Sequence, residues 1–517
     1  MLKLHRFHGG LHLDGHKTES LGRDLQQASI PERLFLPLRQ HIGEYNKPLV
    51  EVGNRVLKGH MIAANSSLIC AAVHAPTSGT VSAIEDYPVA HPSGQPDTCI
   101  VIDVDGKDEA VEPILVDPRQ LTANEMIDLI CRAGIVGLGG AAFPTSPKLS
   151  RGEANGIDTL IINGVECEPY ITCDDMLMRH YAAEVLRGTG YLQQILQPNS
   201  TLIGIEDNKP EVIAEISKAL TQTPLADTEV IPIPTIYPSG GEKQLIQILT
   251  GKEVPHGQLA FDIGLFCQNV GTCVAITRAL ESDEPLISRV VTITGDNISK
   301  PGNWEVRLGT PISHLIELAG GYRHAPGGHL VMGGPMMGFS LSGAQVPIVK
   351  ASNCIMVMRE ETIPRTPGYH DECIRCSKCT EVCPAQLLPQ QLYWHARAQA
   401  WERTQEFHLF DCIECGCCSA VCPSQIPLVQ YYRAAKSEIR AAQKAQFKSD
   451  RARVRFEFRE KRLLLKKQKD DERRRLKREE LQKKHAKPGT GEPTPDPVQA
   501  ALERVKARKK SAQEESQ

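Results

Sequence analysis

Eight of the 17 cysteines in this 517-residue sequence form two copies of one pattern. Residues 373–384 read CIRCSKCTEVCP and residues 412–423 read CIECGCCSAVCP, so both copies fit C-x2-C-x2-C-x3-C-P. Thiolate is a soft ligand that selects zinc and iron–sulfur clusters. The two cysteine ladders therefore indicate a metal centre, or two of them.

The intervals between the cysteines favour iron–sulfur clusters over zinc or inert structural thiols. A zinc site would require two C-x2-C pairs, without a third thiol at the same interval. The observed spacing is that of the bacterial ferredoxin run, in which the fourth cysteine of each copy ligates the other cluster. We predict two [4Fe–4S] clusters with crossed ligands: Cys373, Cys376, Cys379 and Cys422 for one, and Cys412, Cys415, Cys418 and Cys383 for the other. The extra thiol of Cys417 is interpreted as a packing residue.

The composition of the chain limits the class of protein, and the cellular compartment, in which these cysteines are expected. The chain is 41% hydrophobic and 23% charged, as in ordinary soluble domains, and its length predicts several domains. Its first 16 residues, MLKLHRFHGGLHLDGH, have no apolar core or cleavage site of a signal peptide. No stretch reaches the roughly 18 apolar residues that a membrane span requires. We therefore expect a cytosolic protein, or one that lies on a membrane, with metal-ligating cysteines rather than disulfides.

The charge is distributed unevenly along the chain. The formal net charge is −3, yet residues 436–487 carry 21 Lys and Arg against 9 Asp and Glu. This basic tail (437–517) is predicted to be helical and, beyond KPGTGEPTPDP, disordered. It is interpreted as a solvated helix or as a surface for anionic headgroups or an acidic neighbour. Nucleic-acid binding is a further alternative, although no base-reading motif supports it.

The sequence predicts a multidomain α/β and α+β protein with four modules before the tail. Short apolar runs with Gly and Pro over residues 50–85 predict a β module at 1–115 that resembles the barrel-sandwich of biotinyl and lipoyl carriers. The stretch ANSSLICAAV lacks the carrier lysine, so this barrel-sandwich module is interpreted as structural. Strands alternating with helices predict a parallel sheet in a central domain, 116–285, with ligands at the carboxyl ends of its strands. A β-grasp module (286–355) and a ferredoxin domain (360–436) follow.

Two loops of the central domain carry polar groups suited to a nucleotide. The stretch GIVGLGGAAFPTSPKL (134–149) offers backbone N–H groups and the cation of Lys148 to a phosphate. By itself it is equally compatible with a plain turn. The stretch INGVECEPYITCDD (162–175) follows a predicted strand and is compatible with a ligand site or with a solvated acidic loop.

Four stretches in the same order resemble the flavin- and NADH-binding subunit of respiratory complex I: GLGGAAFPT, NGVECEP, GGEKQ and QNVGT. This resemblance implies that FMN and NAD(H) bind here. Phe143 and Glu168 are implied to lie nearer the nicotinamide nucleotide. The residues implied to meet FMN are Gly137, Gly139, Gly140, Lys148, Asn163, Glu166, Gly241, Glu242 and Asn269. The positions that depart from the pattern, and that weaken the NADH assignment more than the flavin assignment, are Leu138, Val165, Lys243 and Gly271.

The paired cysteine ladders and the lysine-free β module together resemble the C subunits of the Rnf/Rsx ion-translocating electron transport complexes over residues 1 to about 440. This resemblance implies a peripheral electron-input subunit on the cytoplasmic side of the cell inner membrane. It would pass electrons between NAD(H), FMN and two clusters, with other subunits of the complex as partners. The alternatives are a diaphorase subunit of a soluble NAD-linked oxidoreductase and a non-catalytic iron–sulfur relay.

Overall fold

The computed structural model of this chain forms two compact units, Met1–Ser437 and Glu438–Gln517. It describes residues 3–324, 326–360, 370–485 and 496–514. The predictions for 361–369, at the start of the ferredoxin range, and for 486–495 and 515–517 in the tail lie outside the described residues. No helix within the described ranges is long and apolar enough to cross a membrane.

The barrel-sandwich module contains two small antiparallel sheets, ordered β2-β8-β7-β4 and β3-β5-β6. Its elements are α1 (Thr18–Leu21), β1 (Gln26–Gln27), β2 (Arg33–Pro37), β3 (Lys47–Pro48), β4 (Arg55–Val56), β5 (Met61–Ala64), β6 (Val73–His74), β7 (Gly79–Pro88) and β8 (Pro96–Val104). Both faces of β8 are covered at its centre, because side chains alternate along a strand and the neighbours Ile100 and Val101 are both buried. The short strand β1 lies outside both sheets, because it pairs with a strand of the β-grasp module.

The first residues of the chain form an irregular segment, here called the N-terminal strap (5–17), which contacts two other modules. The backbone N–H of His5 donates to the carbonyl of Ile248 in the central domain at 2.9 Å. The N–H of Gly10 donates to the carbonyl of Val382 in the ferredoxin domain at 3.0 Å. The strap therefore joins the central domain to the ferredoxin domain.

The central domain has the predicted parallel sheet, ordered β11-β10-β9-β12. Its elements are α2 (Ala123–Arg132), α3 (Thr145–Asn155), β9 (Thr159–Gly164), α4 (Cys173–Leu196), β10 (Ser200–Glu206), α5 (Pro210–Gln222), β11 (Thr228–Ile233), α6 (Glu242–Thr250), β12 (Leu265–Asn269) and α7 (Val270–Ser282). Helix α6 ends as predicted at Gly251, which adopts the left-handed conformation with φ +71°. Since all four strands are parallel, the loops after their carboxyl ends meet at one edge of the sheet.

The β-grasp module contributes a mixed sheet, in which β1 extends the order to β1-β14-β13-β17-β15-β16. Its elements are β13 (Ser288–Thr294), β14 (Gly302–Arg307), α8 (Ile312–Leu318), β15 (His329–Met332), β16 (Phe339–Ser340) and β17 (Cys354–Met358). Strands β13 and β14 are followed by α8, after which the chain continues through Gly320 and Gly321.

The ferredoxin domain contains short helices, and its two cysteine ladders adopt the same local turn. Its helices are α9 (Lys378–Glu381), α10 (Pro389–Arg397), α11 (Trp401–Glu406), α12 (Cys417–Ala420) and the start of α13 (Leu428–His485). Ser377 and Gly416 precede α9 and α12, and both have positive φ, +64° and +82°. The sequence repeat is therefore also a repeat in backbone conformation.

The second compact unit is helical throughout its described residues. It contains the remainder of α13, whose side chains are almost all exposed from residue 441 onward, and α14 (Pro497–Glu514). The prediction of disorder after the proline-rich stretch is wrong for α14. Asp496 accepts a hydrogen bond from the Val498 N–H at 2.9 Å, Pro497 occupies the first turn, and the following Ala, Leu, Glu and Lys residues favour helix.

Candidate functional site

The glycine loop of the central domain (137–143) is the tip of a hairpin. The N–H of Gly137 donates to the carbonyl of Phe143 at 2.8 Å, which closes the loop. Gly139 and Gly140 are exposed at the tip. Gly140 has φ +103° and open space where a Cβ would stand. The tip presents bare backbone, which is what close approach to a phosphate requires.

Asn269 links the glycine loop to helices α4 and α7. A Cβ on Gly139 would lie 3.5 Å from the Cβ of Asn269. The Asn269 Oδ1 caps α7 by accepting from the Gly271 N–H at 2.8 Å. Its Nδ2 donates to Oδ2 of Asp174, in the first turn of α4, at 2.7 Å. The predicted residues Gly139 and Asn269 are therefore neighbours at the carboxyl edge of the sheet.

Lys148 lies beside two other predicted residues, Gly241 and Glu242, which begin helix α6. Its Nζ is 3.3 Å from Oε2 of Glu242 and donates to the Cys267 carbonyl at 2.6 Å. The ammonium group also lies 5.0 Å from the ring centroid of Phe266. This cation is held next to the amino terminus of a helix, a combination that suits an anion.

In the acidic loop, Asn163 and Glu166 support the surrounding backbone. The Asn163 Nδ2 donates to the Gly240 carbonyl at 2.9 Å. The buried Glu166 carboxylate accepts from the backbone N–H groups of Asp174 at 2.8 Å and Asp175 at 3.3 Å. Glu166 therefore caps the amino terminus of α4 and is not a solvated acid.

Glu168 contacts the β-grasp module. Its Oε1 accepts from the N–H groups of Met336 at 2.7 Å and Met337 at 3.0 Å. Burial raises the pKa of this carboxyl against the effect of these two hydrogen bonds. Phe143 lies half-buried at the end of the glycine loop. That Phe143 and Glu168 lie nearer a nicotinamide nucleotide stays a prediction.

Asp174 is a candidate site residue that sequence reasoning missed. Burial and the neighbouring Glu166 raise the pKa of its carboxyl to about 7. It also borders, with Leu138 and Gly271, a cavity of about 540 Å³ between the central domain and the β-grasp module. The Asp-Asp pair at the start of a helix was visible in the sequence. Its contact with Asn269 depends on the packing of α4 against α7, which the sequence alone does not reveal.

The ferredoxin domain holds two cavities lined by cysteines. The inner cavity has a volume of about 370 Å³ and is lined by five cysteines: Cys383, Cys412, Cys415, Cys417 and Cys418. The outer cavity has a volume of about 410 Å³ and is lined by Cys373, Cys376, Cys379 and Cys422. Each cavity is lined by the three evenly spaced thiols of one ladder and by the last thiol of the other ladder, and the inner cavity is also lined by Cys417. That these thiols ligate two [4Fe–4S] clusters stays a prediction.

Residues of three other segments surround the inner cavity. The Tyr237 hydroxyl of the central domain donates to the Cys415 carbonyl at 2.6 Å. The His8 Nδ1 of the N-terminal strap is 3.1 Å from the Cys383 carbonyl oxygen. Lys436 donates from Nζ to the Cys412 carbonyl at 2.6 Å. Cys417 is fully buried, packs with Tyr237 and Cys415 and also lines the inner cavity, and its packing role stays a prediction.

The outer cavity is closer to solvent. All of its lining residues lie between 373 and 428, within the ferredoxin domain. The Cys376 side chain is exposed, and Ile374 beside it is 68% exposed. Tyr393 forms part of the buried wall.

The donor sets fit the groups that the sequence implies. Four thiols around a mostly apolar cavity suit a [4Fe–4S] cluster. Burial raises the pKa of Cys412 to about 11, so the charge of a bound metal would be needed to ionise that thiol. An exposed glycine tip, the Lys148 cation and the amino termini of α6 and α7 suit the phosphate of a flavin nucleotide.

Four family models match separate parts of the chain. The RnfC barrel sandwich hybrid domain matches residues 5–107, and the Nuo51 FMN-binding domain matches 130–278. The SLBB domain matches 290–340, and a 4Fe-4S dicluster domain matches 372–426. Their order along the chain is the predicted order of modules.

Curated relatives cover nearly the whole chain. The C subunit of the ion-translocating oxidoreductase complex of Serratia proteamaculans (strain 568) is 50% identical over 504 residues, which is 97% of this chain and 69% of the relative. The protein of the same name from Pectobacterium atrosepticum is 48% identical over 98% of this chain and 71% of the relative. An NAD+-reducing [NiFe]-hydrogenase overlaps with a TM-score of 0.42 and 17% identity over 54% of each chain, too low to establish a shared fold. The identity and coverage of the relatives show that this chain belongs to the RnfC family, the C subunits of ion-translocating oxidoreductase complexes.

Proposed function

We propose that this chain passes electrons between NAD(H) at the central domain and a partner subunit at the outer cavity, through FMN and two [4Fe–4S] clusters. FMN would connect two-electron hydride chemistry to the one-electron chemistry of the clusters. The single observation that carries the proposal is the place of the inner cavity, because the backbone carbonyl of Cys415, which lines it, accepts a hydrogen bond from Tyr237 of the domain that matches an FMN-binding family. The outer cavity, which opens near the surface, is the suitable exit.

The residues of the central domain have distinct parts in this proposal. Lys148 and the glycine tip would hold the phosphate, with Asn269 beside them. Asn163 and Glu166 fix the shape of the acidic loop, and Gly241 and Glu242 present the start of α6. Phe143 and Glu168 are assigned to the nicotinamide side.

The outer cavity and the basic tail would serve the partners. Within an ion-translocating complex, the chain would lie peripherally on the cytoplasmic face of the inner membrane, bound to other subunits. The exposed surface at Ile374 and Cys376 suits transfer to a partner's redox centre. The exposed Lys and Arg side chains of α13 would add attraction to anionic headgroups or to an acidic neighbour.

The test is a spectroscopic titration of the intact chain purified without oxygen. We expect about one FMN and eight iron atoms per chain, as FMN and two [4Fe–4S] clusters require. Stepwise NADH should reduce the flavin and then the EPR-visible clusters. A chain with both clusters but no flavin would instead be a non-catalytic relay. A chain with flavin that NADH cannot reduce would overturn the assignment of NAD(H) alone.

A further inference from the structure

Lys350 of the β-grasp module is a fully buried cation without a carboxylate among its hydrogen-bond partners in the described part of the chain. Its Nζ donates to the carbonyl of Gly134 at 2.6 Å and to the carbonyl of Ala72 at 2.6 Å. Gly134 is the residue at which the chain turns toward the glycine loop, with φ +67°. A Cβ there would stand 2.3 Å from the Ala72 oxygen and 2.9 Å from the Lys350 Nζ. The ammonium group thus joins three modules at one point.

Arg289 of the same module holds the glycine loop at a second point. It is buried, and its Nη2 donates to the carbonyl of Leu138 at 3.3 Å. Its Nη1 donates to the carbonyl of Lys350. The other side of the same loop residue is also fixed, because the Leu138 N–H donates to Oγ1 of Thr272 at 3.0 Å. The backbone that leads into the glycine loop is therefore bonded to Lys350 at Gly134, and the start of the loop is bonded to Arg289 at Leu138.

Lys17 of the N-terminal strap holds the backbone of the acidic loop. Its Nζ donates to the carbonyls of Glu166 at 2.7 Å, Glu168 at 3.1 Å and Ile171 at 2.6 Å. An ammonium group has three donors, and here all three bind the backbone of one loop. The segment that carries Glu166 and Glu168 is folded around this single cation.

Burying the charges of Lys17, Arg289 and Lys350 costs free energy, because each charge loses contact with water. Burial lowers the pKa of Lys350 to about 7 and also lowers the pKa values of Arg289 and Lys17. A buried charge is tolerated when several hydrogen bonds compensate for lost hydration. The compensation here comes from backbone carbonyls: those of the acidic loop for Lys17, and that of Leu138 in the glycine loop for Arg289. For Lys350 it comes from Ala72 and from Gly134, just before the glycine loop. The conformation of each loop is therefore coupled to the docking of a neighbouring module.

We propose that Lys17, Arg289 and Lys350 are positioning residues which fix the glycine and acidic loops in the conformation that binds the flavin. Flavin affinity is then a property of the assembled modules, because each cation comes from outside the central domain. This inference rests on the proposed binding of FMN to these loops.

The test replaces each cation in the full chain: Lys17→Met, Arg289→Gln and Lys350→Met. Matched controls are Lys58→Met and Arg307→Gln, since both of these cations pair with Asp108, at 2.9 and 3.3 Å. FMN affinity is measured by flavin fluorescence on the cluster-loaded chain, together with iron content and the flavin midpoint potential. We expect dissociation constants raised about tenfold or more in the three test variants, with iron content unchanged and both controls like the wild type.

A second pair of variants covers the case in which a buried neutral side chain prevents folding. Lys17→Arg and Arg289→Lys keep the charge but change the number and direction of the donors. We expect them to retain iron and thermal stability while binding FMN more weakly and shifting its midpoint potential. Wild-type affinity and potential in these variants would overturn the positioning role and leave FMN binding intact. Absence of FMN binding in the wild-type chain would overturn the proposed function and this inference together.

Discussion

The inner and outer cavities of the ferredoxin domain share one pattern of ligands but differ in their surroundings. At the inner cavity Cys383, Cys415 and Cys418 are buried, and the backbone of Cys415 is bonded to the central domain through Tyr237. At the outer cavity Cys376 is exposed, although the lining residues of both cavities belong to the ferredoxin domain. Because cluster potentials depend on burial and on hydrogen bonds near the sulfurs, the two sites are expected to differ in potential.

The comparison shows which property comes from the repeat and which comes from the rest of the chain. The repeat determines the ligands and the local turn, since Ser377 and Gly416 occupy the same place in each ladder with the same sign of φ. The neighbouring modules determine the environment. The Cβ of a residue at 416 would lie 2.7 Å from the Met336 carbonyl oxygen of the β-grasp module, so the inner turn has no room for a side chain.

The largest expected effect tests the crossing of ligands. Cys383→Ala lies in the first ladder, yet it should remove the cluster of the inner cavity, because Cys383 lines that cavity. The reciprocal variant, Cys422→Ala, should remove the cluster of the outer cavity. Iron content should fall by about half in each variant, and EPR of the reduced protein should show different remaining signals. Loss of the same signal in both variants would contradict the crossed arrangement.

The next effect separates the flavin from both clusters. Lys148→Ala should release FMN, because a hydrogen bond to a charged group contributes about 1.5–3 kcal/mol. Iron content should not change, since Lys148 lines neither cavity. Dithionite should still reduce both clusters in the variant, whereas NADH should reduce neither. Flavin content equal to that of the wild type would remove Lys148 from the phosphate site.

A smaller effect is expected when the two clusters are exposed to an iron chelator, because the two cavities differ in solvent exposure. With an iron chelator under mild oxidation, the outer cluster should be lost first, because Cys376 is exposed. The inner cluster should persist, because three of its four cysteines are buried. The two rates can be followed by EPR, with the Cys383→Ala and Cys422→Ala variants as references for each signal. Equal rates of cluster loss would show that burial of the inner cysteines does not limit access of the chelator to the inner cluster.

The grouping of eight cysteines around two cavities could be predicted from sequence, because it follows from their spacing along the chain. The same holds for β9, β10, α5 and α6, whose apolar periods and glycine or proline boundaries are local signals. The positions of Lys17 and Lys350 could not be predicted. Each acts on backbone carbonyls, which every residue possesses, so no complementary acidic residue marks the partner in the sequence.

The surroundings of the inner cavity were unpredictable for a related reason. Tyr237 and His8 are far from the cysteine ladders in sequence, and each meets the backbone of a cysteine rather than its side chain. The N-terminal strap lies within the range 1–115 predicted for the barrel-sandwich module, and the matching family model also begins at residue 5. Its role as a connection between the central and ferredoxin domains follows from tertiary contacts alone.

The Asp174 carboxyl of the central domain should make the stability of the chain depend on pH. Its pKa is raised to about 7 in the folded chain from an ordinary value of 3.8. Protonated Asp174 therefore makes its full contribution to the free energy of unfolding below about pH 3.8. This contribution is lost as the pH rises through about 7. Asp174→Asn should flatten the fall in stability between about pH 4 and pH 7, measured by denaturant unfolding, without affecting either cluster. An unchanged slope would show that another group causes the pH dependence.

The smallest expected effect concerns the basic tail. Lys436 must be retained in any truncation, because its Nζ bonds the Cys412 carbonyl and lies 2.8 Å from Glu414. A chain ending at residue 446 keeps this contact and removes most of the exposed Lys and Arg side chains of α13. It should retain flavin and both clusters. Each basic side chain near anionic lipid contributes about 1 kcal/mol to binding. Salt screens this attraction beyond a Debye length of about 8 Å at physiological ionic strength. The shortened chain should therefore leave membranes at lower salt than the full chain. Identical salt profiles would assign membrane attachment to the folded modules, and the exposed surface of the outer cavity would then be the first place to look for the partner.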